Sequence, residues 1–128
     1  MPKEKIKPTK AELEILSILW EKESATVREV YEVINERKPA SYTTVLKLMQ
    51  IMFEKGLVTR DDTNRAHIFS AKHPQEQTQK NLVSDLLEKA FRGSALKLVQ
   101  HVLETKPASK EELDEIRKLI NEAEKKNK

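Results

Sequence analysis

A chain of 128 residues with 24 Lys/Arg against 21 Asp/Glu, 38% hydrophobic residues and only two glycines reads as a well-solvated helical protein of one domain or two small units. It has no cysteine, which excludes disulfides, thiolate zinc sites and cysteine nucleophiles and suits a reducing cytoplasm. No apolar run is long enough to span a bilayer, and MPKEKIKPTK at the start lacks the apolar stretch of a signal peptide, so a cytoplasmic location without membrane insertion is expected.

The net charge of +3 is not segregated. Residues 1–73 hold 13 Lys/Arg against 11 Asp/Glu, and residues 74–128 hold 11 against 10. Any nucleic-acid site must therefore come from local arrangement, not from bulk charge. Lys3, Lys5, Lys7 and Lys10 form a basic N-terminal arm that reads as solvated surface.

In chain order, AELEILSILWE over residues 11–21 places Leu13, Leu16, Ile18, Leu19 and Trp20 at helical spacing. Thr9 with Glu12 forms a capping box at its start. A second helix begins after Thr26, with Glu29 as box partner and Val27, Val30, Tyr31 and Ile34 on one face. Pro39 ends it. Ser41 caps a third helix that runs to about Lys55, and Gly56 sits where a left-handed residue belongs. Leu57–Arg60 and His67–Ser70 have short strand patterns around an Asp-Asp-Thr-Asn turn, which makes a hairpin.

After His73-Pro74 the pattern is helical only. Helices are expected over Gln75–Phe91, over Ala95–Leu103 after a break at Gly93-Ser94, and after Pro107 and Ser109 with a frayed EKKNK tail. Their apolar positions include Leu82, Leu86, Phe91, Leu96, Val99, Leu103, Leu113, Ile116, Leu119 and Ile120. Some fifty residues are marginal for a separate core, so these stripes most economically bury each other across a homodimer. The expected division is 1–73 for a unit with its own core and 74–128 for a dimerisation unit.

On the third helix, Val45, Leu48, Met49 and Met52 fall on a core-facing side, with Phe53 at its margin. Thr43, Lys47, Gln50 and Glu54 fall opposite, with Thr44 near the boundary. Short hydroxyl and amide groups with one Lys can hydrogen-bond to phosphates or base edges, and the helix N-terminus favours an anion. Alone, Ser41 and Thr43 read as ordinary capping residues. Two helices, this helix and a hairpin with Arg65 just past its turn together make the plan of a winged helix–turn–helix. On that plan Ser41, Tyr42, Thr43, Thr44, Lys47, Gln50 and Arg65 are the candidate contacts to a double-stranded DNA operator. Tyr42 either meets the backbone or packs on the first helix, and the backbone is favoured. Arg65 either meets DNA or pairs with Asp61 or Asp62.

TKAELEILSILWE, TVREV, YTTVLKLMQIMFEKGLVTRD, RAHIFSA, FRGSALKLV and SKEELDEIRKLI together resemble the BlaI/MecI family of penicillinase and methicillin-resistance repressors, from about Thr9 to Glu122. The resemblance implies a mainly α fold, with an N-terminal winged helix–turn–helix DNA-binding domain and a C-terminal helical dimerisation domain. It implies palindromic operators of resistance genes, and release by proteolysis in the C-terminal domain through a membrane sensor-protease system. The chain departs from that family pattern in three places. Ile51 stands where many relatives carry Arg, His101-Val102 stands at the scissile pair, and no cysteines serve the copper-responsive branch's mechanism.

His67, His73 and His101, with Asp61 or Asp62, show no helical ligand spacing, so no metal and no cofactor are expected. No phosphate loop or nucleophile motif points to an enzyme. A small-molecule-responsive regulator of the same fold and a helical protein–protein adaptor are the competing readings.

Overall fold

The computed structural model describes residues 7–127. Helix α1 (Lys10–Lys22), α2 (Val27–Arg37) and α3 (Tyr42–Lys55) are followed by strands β1 (Val58–Asp61) and β2 (Ile68–Ala71). Three further helices follow: α4 (Gln75–Lys89), α5 (Ala95–Thr105) and α6 (Lys110–Lys126). The fold is mainly α, a winged helix–turn–helix plus a helical C-terminal part. Lys3 and Lys5 of the basic arm lie outside the described residues, while Lys10 is the first residue of α1.

The caps explain where the first three helices start. Thr9 and Thr26 each accept from the backbone N–H three residues on, and Glu12 and Glu29 return the bond to the cap's own N–H. Each box satisfies two donors that the first turn leaves open. Ser41 accepts more weakly from the Thr44 N–H, at 3.5 Å. Lys38 leaves α2 with ψ 134, as a residue before proline must. Gly56 ends α3 at φ 81, ψ 21, the left-handed conformation that L side chains resist.

The first compact unit runs through Val83. Its core joins Ile15, Leu16, Ile18 and Leu19 of α1, Val27 and Val30 of α2, Val45, Met49 and Met52 of α3, and Leu57, Val58 and Phe69 of the hairpin. Each such side chain contributes roughly 1.5–3 kcal/mol on burial. Leu13, Leu48, Tyr31 and Ile34 are only half-buried.

The hairpin is antiparallel, with Val58 opposite Ala71, Thr59 opposite Ser70, Arg60 opposite Phe69 and Asp61 opposite Ile68. Both strands lie one residue later than their apolar pattern predicts. Leu57 instead closes the α3 turn, its N–H donating to the Met52 carbonyl at 2.9 Å. A bridge that local pattern does not reveal links Ala25 to Phe69 by two backbone hydrogen bonds of 2.9 and 2.8 Å. It ties β2 to the residue just before the α2 cap, which places the hairpin beside the helix–turn–helix. Trp20 Nε1 donates to the His73 carbonyl at 3.0 Å and anchors the exit from β2.

The second compact unit starts at Ser84, so α4 begins in one unit and ends in the other. None of α4, α5 or α6 has a buried residue. Leu82, Phe91, Leu113 and Ile116 are half-buried, whereas Leu86, Leu96, Val99, Leu103, Leu119 and Ile120 are exposed. Phe91 packs on His101, ring centroids 5.7 Å apart. The α4 helix stops at Lys89, two residues short of expectation, because Arg92 and Gly93 both turn to positive φ. Of the tail expected to fray, residues 124–126 are helical to the end of α6 and the Asn127 N–H caps the carbonyls of Ala123 and Glu124, while Lys128 lies outside the described residues.

Candidate nucleic-acid interface

The two faces of α3 separate cleanly. Val45, Met49 and Met52 are buried, while Ser41, Tyr42, Thr43, Thr44, Lys47 and Gln50 are all exposed. Ser41 is engaged as the cap. Thr43, Lys47 and Gln50 follow one another at helical spacing and present a hydroxyl, an ammonium and an amide on one side.

Tyr42 packs on a different helix from the one the sequence suggested. Its ring meets the edge of Tyr31 on α2, centroids 5.5 Å apart at 76°, and the Arg28 guanidinium lies 5.4 Å from its centre. The tyrosine therefore packs on α2, not on α1, while keeping 38% of its surface open. Such an edge contact and cation–π pair hold the first turn of α3 against the second helix.

At the hairpin tip, Asp61 Oδ1 accepts from both the Thr63 N–H (2.9 Å) and its hydroxyl (2.7 Å). These bonds hold the Asp61 carboxyl below the usual carboxylate value. Asp62 is engaged with Arg60 Nε at 2.8 Å and His67 Nδ1 at 3.6 Å. The acidic partners considered for Arg65 are thus occupied by other groups. Among the described residues, no carboxylate lies within ion-pair distance of Arg65, which is exposed.

Between the start of α2, the outer side of α3 and the hairpin runs a groove of about 500 Å³, bordered by Arg28, Arg60, Arg65 and His67 with Tyr42 and Gln50. A second groove of about 480 Å³ lies on the other side of Arg60, along Lys47, Gln50, Ile51, Phe53 and Glu54. Arg28 and Arg60 are the basic residues that sequence reasoning did not single out. Arg28 carries no pattern that marks it. The period-2 spacing of Arg60 from buried Val58 could have placed it on the inward side of β1. Ile51 is half-buried at the edge of the second groove.

The family model of the penicillinase repressors matches residues 8–122. The chain belongs to the penicillinase repressor family. It is 31% identical over 112 residues to the transcriptional regulator BlaI of Mycobacterium tuberculosis, covering 86% of this chain and 80% of that one. It is 24% identical over 111 residues to the methicillin resistance regulatory protein MecI of Staphylococcus aureus, covering 87% and 90%. Against the Staphylococcus aureus penicillinase repressor it is 21% identical over 126 residues, covering 98% and 100%. Among solved structures, a mutant of Lactococcus lactis ZitR aligns with a TM-score of 0.44 at 16% identity, covering 100% of this chain and 81% of that one. The penicillinase repressor family is one of transcriptional repressors, not enzymes. Among the described residues, no helix is long and apolar enough to cross a membrane.

Proposed function

We propose that this repressor binds a near-palindromic double-stranded DNA operator as a homodimer, with α3 of each protomer in a major groove. The carrying observation is the two-sided character of α3: its inner side is locked into the core, while Thr43, Lys47 and Gln50 stand exposed. Thr44 and the Ser41 end of the helix flank that row, and the free N–H groups there favour a phosphate. Arg65, exposed beside the hairpin turn, meets the flanking backbone. Tyr42, packed on α2, orients the first turn and offers its open edge to the same strand.

Dimerisation through α4–α6 is supported by the apolar surface those helices leave uncovered, Leu96 at 77% and Leu119 at 63% exposure among it. The functional division falls at Pro74, before α4 begins. Tethering the second protomer raises its effective concentration at the adjoining half-site. Release follows when the C-terminal helices are cut or separated, on genes of the resistance or stress type and through a sensor-protease. His101 and Val102 are both exposed on α5, yet the bond between them is helical, so cleavage there requires α5 to open locally first.

The test is a fluorescence-anisotropy titration with a duplex spanning the region upstream of the gene, at several salt concentrations. Counterion release makes affinity fall steeply and linearly on a double-logarithmic plot. Binding that barely responds to salt overturns the reading and leaves an apolar helix-docking adaptor in its place.

A further inference from the structure

The alternation of β1 sends Arg60 inward, on the same side as buried Val58, but two residue pairs nearer the hairpin tip. Its stem therefore covers the end of the core while its guanidinium emerges between the two grooves that border the exposed side of α3. There it lies over the Phe53 ring, 4.4 Å from the centroid. The contact with the ring holds the group in place while the side chain keeps 25% of its surface open.

The same side chain is engaged with an anion of its own chain. Asp62 Oδ1 is 2.8 Å from Arg60 Nε and 3.6 Å from His67 Nδ1. Yet Nε is shielded from solvent and makes no aligned hydrogen bond. The carboxylate is attracted by charge but badly directed, and Asp62 is half open to water. A half-open, poorly directed pair of that kind is weak and readily exchanged. A phosphate oxygen, approaching in the guanidinium plane, makes the better bond.

We propose that Arg60 and His67 form a phosphate subsite beside the tip of the hairpin, held in the free protein by the Asp62 carboxylate and filled by the DNA backbone on binding. Arg60 is the principal contact, Phe53 its positioning residue and Asp62 an internal competitor. The subsite rests on the DNA-binding reading above. It adds to the exposed row of α3 a guanidinium that comes from the strand.

The experiment uses the full chain and a labelled random-sequence duplex of about 30 base pairs, titrated at several salt concentrations with thermal melts alongside. Arg60→Ala is expected to weaken binding about tenfold and to reduce the salt slope by about one, uniformly across sequences. Asp62→Asn is expected to tighten binding about threefold, because it removes the competing charge. Asp62 lies outside the core, so its variant decides the matter even if Arg60→Ala fails to fold. Unchanged affinity in Asp62→Asn, or unchanged affinity and slope in a folded Arg60→Ala, overturns the subsite. A loss confined to one base-pair position with the slope intact overturns it too, in favour of a base-edge contact. Wild-type protein that shows no steep salt dependence brings down the DNA-binding reading itself. Flat variants on a wild type that binds steeply bring down the subsite alone.

Discussion

The Glu12 carboxylate in the first turn of α1 and the Lys55 ammonium in the last turn of α3 meet at 2.9 Å, with Glu12 only 1% exposed. The same carboxyl accepts from the Thr9 N–H at 2.9 Å. One side chain thus caps one helix and anchors another 43 residues away. Replacing it with Gln keeps an acceptor for the cap but leaves Lys55 without its partner. Lys55 is partly exposed and can rehydrate. The loss is therefore about 2–3 kcal/mol, at or below the range for breaking a buried pair. A denaturant titration of Glu12→Gln against wild type measures it.

Acid should act through the same carboxyl. Burial pushes it up, but the Thr9 N–H, the Lys55 ammonium and the Thr9 hydroxyl outweigh burial and hold it below its ordinary value of 4.5. The folded value is depressed, so the contribution is present above 4.5 and lost as pH falls through the folded value. Melting temperature should drop below that point in wild type, and less so in Glu12→Gln. Parallel acid curves for the two proteins would refute the assignment. Asp61, depressed by its bonds from Thr63, titrates in the same direction in both and cancels in the comparison.

Gly56→Ala isolates a backbone requirement. A Cβ there would approach nothing closer than Lys72 Nζ at 3.8 Å, an ordinary contact. The whole cost is then the left-handed conformation at φ 81, about 1–2 kcal/mol. The expected result is a melting temperature lower by some degrees with unchanged DNA affinity per folded molecule. No change in stability would mean that the turn relaxes to another conformation.

Thr43→Ala combined with Lys47→Ala removes two exposed side chains from α3 and no core contact. Stability should stay within about 0.5 kcal/mol of wild type. Operator affinity should fall by at least about tenfold, since a specific base or phosphate contact contributes roughly 1–3 kcal/mol. Intact affinity would remove α3 from the interface.

Leu96→Glu with Leu119→Lys places charges on two of the most exposed apolar positions of α5 and α6. Sedimentation equilibrium should show the dimer giving way to monomer, and operator binding should weaken with it. Truncation after His73 should also give a folded monomer, because the core residues lie between Ile15 and Phe69. A truncated chain that still dimerises would move the interface into the first unit.

Much of this protein could be read along the chain because its causes are local. Thr9 with Glu12 and Thr26 with Glu29 satisfy helix ends within three residues, and the spacing of Val45, Met49 and Met52 sorts α3 into a core side and an open side. Family membership was legible for the same reason, since its motifs are short runs of these local signals. What depends on distant partners was not legible. Ala25 bonds to Phe69, which moves the hairpin beside α2. Tyr42 finds Tyr31 and Arg28 on α2, and Glu12 finds Lys55. The candidate site divides along the same line. Thr43, Lys47 and Gln50 follow from helical periodicity alone. Arg60 joins them only because strand register sets it opposite Phe69 and over Phe53, and register is decided by which side of the hairpin the core covers.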